Sequence, residues 1–290
     1  MKIAIGLPNA LPRTPGPDLV AWARAAEDHG FSSLGTIGRI VYDSYDELVA
    51  LAACAAVTSR IGLATTLLVS PVREPVLLAK QAATLDAISG GRLSLGLGVG
   101  WRDDDFRATG TQSQWAERGN VIVRQVDVLR RVWSGAALGD GIDAVGPAPA
   151  RRGGPEILLG GAAPAVLRRV GRLADGFLSP PSPAPVIEAQ FATVRAAWQE
   201  AGRKGAPRFV APRYYALGDD AQATADANIG TYYALGGEAF VRAQRESLLR
   251  TPDAIRSNVE ELAKIGVDEA FFWPMNADLR QVERLAQAIR

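Results

Sequence analysis

Eight short apolar runs, each followed by a stretch of helical periodicity, limit what this chain can fold into. They cover residues 2–7 (KIAIGL), 32–36 (SSLGT), 60–69 (RIGLATTLLV), 92–98 (RLSLGLG), 156–161 (EILLGG), 175–179 (DGFLS), 209–217 (FVAPRYYAL) and 269–274 (EAFFWP). A near-continuous apolar strand is one covered on both faces, and a helix between successive strands makes the sheet parallel. The expected architecture is α/β: a single (β/α)8 TIM barrel spanning residues 1–290, with a doubly wound open sheet as the rival. The barrel is preferred because the eight units use the whole length and leave no stretch for a second domain.

The helices carry their own punctuation. Ser44 and Glu47 have the spacing of a capping box ahead of a helix reaching Val57. Pro75 suits the first turn of the next helix, and Gly90 suits its left-handed end. Pro164 opens another, Thr251–Pro252 opens one closed by Gly266, and Asp278 with Gln281 is expected to cap the last. Two segments break the repeat. Residues 139–155, rich in Gly and Pro, read as a long loop before strand five; residues 219–249 read as an extra helical segment after strand seven, interrupted at Leu235-Gly236-Gly237. Long loops at strand C-terminal ends are where barrels acquire lids and specificity.

A net charge of +1 gives no electrostatic basis for binding nucleic acid or a membrane surface. The first apolar run is too short for a signal peptide, and no later one reaches the roughly 18 residues of a membrane span, so a cytoplasmic protein is expected. The single cysteine, Cys54, sits in an apolar run and reads as a buried small hydrophobe.

The stretch GLGVGW, residues 96–101, carries glycine at every second position. A dinucleotide fingerprint needs G-x-G-x-x-G, and here Trp101 stands near the place of the third glycine, so that reading fails on spacing. Glycine on alternate strand positions strips one face of side chains. Inside a barrel this either eases tight packing or opens a slot for a flat ring. Asp103, Asp104 and Asp105 read as carboxylates at a helix start rather than as metal ligands. One unit further on, Gly160, Gly161 and Ala162 lead into a helix beginning at Pro164, where unpaired amides suit an anion. Together the two features match a ligand with a planar ring and a phosphate tail.

These residues give the chain a resemblance to the luciferase-like monooxygenase superfamily, which includes flavin monooxygenases and enzymes using the deazaflavin coenzyme F420. Residues 26–34 (AEDHGFSSL), 57–110, 156–177 and 251–269 carry it, the block from Pro75 to Trp101 most specifically. The resemblance implies a (β/α)8 barrel with the ring across its mouth. Thr65, Thr66, Gly98 and Gly100 would lie near the ring, and Gly160, Gly161 and Ala162 would hold the phosphate. Arg168 and Arg169, one turn further into that helix, read as solvent-facing charge. Where many members carry a histidine after strand two, this chain has Arg39. The only histidine, His29, sits at a helix C-terminus and reads as structural. Acid–base work would then fall to Arg39, Tyr42 or Tyr214, with no catalytic residue assigned outright. Arg39 is placed on an anionic substrate or a ring oxygen, Trp101 on the ring or the pocket wall, and Tyr214 as a proton donor.

The expected function is a monooxygenase using reduced FMN and dioxygen on a small organic substrate. Hydride transfer with F420 is the alternative, and a non-catalytic flavin-binding protein is a further one. A homodimer is expected, with a separate flavin reductase in the FMN case, since no NAD(P)H site is recognisable. A phosphosugar isomerase or lyase on the same fold would need a lysine or paired carboxylates at strand ends; Glu74 and scattered Asp do not supply them.

Overall fold

The structure, a computed structural model, describes residues 1–290. The eight expected runs form eight strands: β1 Lys2–Gly6, β2 Ser33–Thr36, β3 Gly62–Val69, β4 Leu93–Gly98, β5 Glu156–Gly160, β6 Gly176–Leu178, β7 Arg208–Tyr215 and β8 Glu269–Pro274. All pair in parallel with their sequence neighbours, and β1 pairs with β8, which closes the barrel and excludes the open sheet.

The helices around it are α1 Gly16–Asp28, α2 Glu47–Ala55, α3 Pro75–Ser89, α4 Asp103–Ala108, α5 Arg118–Trp133 and α6 Pro164–Leu173. They continue with α7 Ala184–Glu200, α8 Gln222–Tyr233, α9 Glu238–Glu246, α10 Pro252–Lys264 and α11 Arg280–Ala288. Helices α8 and α9 are the extra segment after strand seven, divided by a 3-10 turn at Ala234–Gly236. No helix is long and apolar enough to cross a membrane.

Two of the expected caps form differently. Asp46, not Ser44, caps α2, its carboxylate accepting from the amides of Leu48 and Val49 at 3.0 Å each. Glu47 turns inward to meet Arg73 instead of reaching back to an amide. A carboxylate adjoining the first turn is a stronger acceptor than a hydroxyl two residues earlier. At α11, Asp278 accepts from the amide of Arg280 at 2.9 Å, but the buried Gln281 side chain bonds both the amide and the carbonyl of Leu217. Those two buried backbone groups at the end of strand seven need partners, and the amide side chain supplies both. Gly90 and Thr251 act as expected: Gly90 is left-handed with φ +67°, and the Thr251 hydroxyl accepts from the Ala254 amide.

Alternation along each strand divides two cores. Leu93, Leu95 and Leu97 of β4 face the helices and join the large outer core, with Cys54 buried in it. Ala4, Ala64, Leu158, Leu178, Val210 and Phe271 fill the barrel interior. The floor, at the strand N-terminal ends, is polar: Arg208 bridges Glu156 and Glu269, Ser94 bonds Glu156, and Ser32 and Ser33 bond Glu269. Near the top, Trp273 lies against Gly6 and Gly35, where a Cβ would come within 2.2 and 3.0 Å of its ring. Gly6 leaves room for that indole, and Gly35 for the Phe271 ring as well as the edge of Trp273.

Candidate active site

Above Trp273 the strand C-terminal ends enclose a cavity of about 510 Å³, within the range of small-molecule and cofactor sites. Its lining comes from the ends of β2 to β8, and helices α8 and α9 roof one side.

Arg39, in the loop after β2, is buried on this cavity. One guanidinium nitrogen donates to the Val41 carbonyl at 2.8 Å, and Nε lies 4.0 Å from Asp105. Nε and Nη1 have no hydrogen-bond partner. Its charge also faces the rings of Tyr42 and Tyr232, at 4.8 and 5.5 Å from the centroids. Burial lowers the Arg39 pKa from the ordinary arginine value. Asp105, in the first turn of α4, accepts from the amides of Ile40 and Val41 and so fixes the loop that carries Arg39. The other two carboxylates of the triplet pair locally, Asp104 with Arg102 and Asp103 with Arg107.

Tyr214, at the top of β7, meets the Tyr233 hydroxyl of α8, and both border the cavity. Burial pushes the Tyr214 hydroxyl up to about 12 and raises those of Tyr232 and Tyr233 as well. These phenols are therefore neutral donors at ordinary pH. Aromatic contacts continue across the roof: Tyr42–Tyr232, Tyr232–Tyr233, Tyr233–Phe240 and Phe240–Trp101 have centroids 4.9 to 6.4 Å apart. Trp101 is half-exposed at the rim.

Thr66, Gly98, Gly100, Gly160, Gly161 and Ala162 all line the cavity, as do Arg39, Trp101 and Tyr214; Thr65 does not. Its hydroxyl donates to the Gly96 carbonyl inside the sheet at 2.7 Å. The slot expected along β4 is largely filled. A register shift in β3 between Thr65 and Leu68 pushes that strand inward against β4. The Thr65 carbonyl then occupies the room beside Gly96, and Leu67 occupies that beside Gly98 and Gly160. Close approach of a neighbouring strand, rather than a bare ligand slot, explains these glycines. Gly100 differs, having φ +74°, a conformation that favours glycine.

At the β5–α6 turn the amides of Ala162 and Ala163 donate to no protein acceptor, and no side chain caps α6. Arg169 leans toward Gly119 and Arg168 is exposed; neither borders the cavity.

Sequence reasoning did not single out Leu67, Ser179, Tyr232, Tyr233, Phe240, Gln244 or Trp273, all of which border the cavity. Ser179 and Trp273 stand at the ends of β6 and β8, a position that could have marked them. Ser179 Oγ, Trp273 Nε1 and Gln244 Oε1 are buried without hydrogen-bond partners, as are the two Arg39 nitrogens. Buried polar atoms are rarely left so. These five atoms border one cavity, and with an open amide turn at its edge they fit a planar ring bearing carbonyl and N–H groups and a phosphate-bearing tail.

The sequence model of the luciferase-like monooxygenase family matches residues 1–269, and the chain belongs to that family. It is 31% identical over 173 residues to an uncharacterized protein of Mycobacterium tuberculosis, covering 57% of this chain and 60% of that protein. It is also 32% identical over 184 residues to the F420-dependent glucose-6-phosphate dehydrogenase of Nocardia farcinica, covering 56% and 53%. The matches thus span 60% or less of the length of these relatives. Among solved structures, a monooxygenase from Streptomyces bottropensis superposes with TM-score 0.81 at 23% identity over 100% of this chain and 98% of that one. An F420-dependent secondary alcohol dehydrogenase superposes with TM-score 0.81 at 16% identity over the whole of both chains. At such identities these structures bear on the fold alone.

Proposed function

We propose that the protein is an F420-dependent oxidoreductase that transfers hydride to or from a small organic substrate. The observation that carries this reading is the set of unpartnered buried groups on one cavity: Arg39, Ser179, Gln244 and Trp273. Relatives named for F420 dependence favour the deazaflavin over FMN, which the sequence alone had put first. When bound, such a ring supplies a two-electron hydride donor or acceptor. Arg39 would hold a ring or substrate oxygen, and the open amides of Ala162 and Ala163 the phosphate. The Tyr214–Tyr233 pair would donate or take up the accompanying proton, and the aromatic roof would exclude water. We take residues 1–290 as one catalytic unit that acts as a homodimer.

Equilibrium titration with F420 and with FMN, read by quenching of tryptophan fluorescence, tests the choice. Micromolar F420 binding with much weaker FMN binding is the expected result. Preference for FMN, with oxygen consumption by the reduced complex, would favour the monooxygenase reading suggested by the family description, and with it a separate reductase.

A further inference from the structure

We propose that this cavity selects an uncharged, largely apolar substrate with one hydrogen-bond-accepting oxygen, and excludes phosphate monoesters. The inference rests on the proposed cofactor reading, because the amide turn at Gly161–Ala163 is then taken by the cofactor phosphate.

The charges at the mouth come first. The only charged residues lining the cavity are Arg39 and Asp105, and they face each other at 4.0 Å. Arg102, the next cation, places its guanidinium on Asp104 at 2.9 Å. Lysine and histidine are absent from the lining. A buried phosphate monoester at neutral pH carries nearly two negative charges; Arg39 is the one cation on the lining and its charge is already balanced by Asp105, so its two free N–H groups can serve a neutral oxygen but the desolvation of a dianion is not offset. One relative acts on glucose 6-phosphate by its name; this lining lacks the charge for such a ligand.

The wall is the second observation. Leu67, Tyr232, Phe240 and Trp273 give the cavity an apolar surface. Behind Tyr214 and Tyr233 it adjoins a smaller chamber of about 20 Å³, lined by Leu7, Ala10, Leu11 and Met275 among others. That volume admits about one methyl-sized group and offers little to a sugar hydroxyl.

The third is the proton count of the tyrosine pair. Tyr214 and Tyr233 share one hydrogen bond and neither hydroxyl has another partner, so one of their two protons is uncommitted. A buried donor beside an apolar wall calls for an acceptor oxygen on the substrate, as a ketone, aldehyde or alcohol provides.

The test uses two probes, cyclohexanone and glucose 6-phosphate, with saturation-transfer difference NMR on the F420-loaded protein. Saturation should reach the cyclohexanone protons and not those of glucose 6-phosphate. Tyr214→Phe combined with Tyr233→Phe should weaken the ketone about tenfold, since one hydrogen bond is lost. Equal or stronger saturation of glucose 6-phosphate, or none of cyclohexanone, overturns the substrate inference while F420 binding stands. Failure of F420 to bind overturns the cofactor reading instead; the same spectra on the cofactor-free protein then test the cavity's charge selectivity by themselves.

Discussion

The guanidinium Nε of Arg39 lies 4.0 Å from the carboxylate of Asp105, and both side chains are buried at the barrel mouth. Asp105 serves twice, as counter-charge and as acceptor for two loop amides. Replacing it with asparagine leaves a buried cation without its partner, a change that typically costs about 3 kcal/mol. Asp105→Asn should lower the urea midpoint accordingly and weaken F420 binding as Arg39 loses its position. Unchanged values for both would remove Asp105 from the site.

Leu67 occupies the room beside Gly98 that the sequence suggested was open. A Cβ on residue 98 would come within 2.6 Å of Leu67 Cδ1, so Gly98→Ala should displace Leu67 into the cavity. We expect about tenfold weaker cofactor binding, roughly 1.4 kcal/mol, with little change in melting temperature. Adding Leu67→Ala should recover most of the loss, and a non-additive cycle is the signature. Strict additivity would sink the idea.

At the opposite end, Arg208 neutralises Glu269, which is 1% exposed. Arg208→Met strands that carboxylate and should destabilise the barrel by about 3–5 kcal/mol. The floor lies at the strand end away from the cavity, so the F420 dissociation constant of the folded variant should be unchanged. A shifted constant at full folding would show that the two ends are coupled.

Burial pushes the Glu47 carboxyl up to about 7, more strongly than Arg73 pulls it down. The folded chain therefore holds this proton more tightly than the unfolded chain, whose glutamate titrates near about 4.3. Stability from this group is complete below the unfolded value and is lost as pH rises through the folded one. Glu47→Gln does not titrate, so its unfolding free energy from urea titrations should gain on the wild type between about pH 4.3 and about pH 7, by up to roughly 3 kcal/mol. Parallel pH profiles would refute the assignment.

The strands were legible because each is a short apolar run between helical periodicities. The inward direction of Gly96 and Gly98 followed from simple alternation. What fills the space beside them did not, because the β3 register shift falls within ATTLLV, where no glycine or proline marks it. The same shift takes Thr65 off the cavity while Thr66 stays on it. Arg39, Trp101 and Tyr214 could be named from positions just past strand ends or within β7. The isolation of Ser179, Gln244 and Trp273 depends on what surrounds them in three dimensions, and no local pattern carries that. Tyr232, Tyr233 and Phe240 lie outside the barrel repeat and were visible only as an interruption in it.

That interruption gives the molecule a division of labour. Helices α8 and α9 contribute no strand and take no part in closing the sheet, yet they bring Tyr232, Tyr233, Phe240 and Gln244 to the cavity. The Arg39 loop and the β5–α6 turn belong to the barrel itself. Replacing the segment between β7 and α10 would change which molecules are admitted while leaving the barrel-borne groups in place. Descendants of such a chain could diversify their chemistry by exchanging one cassette.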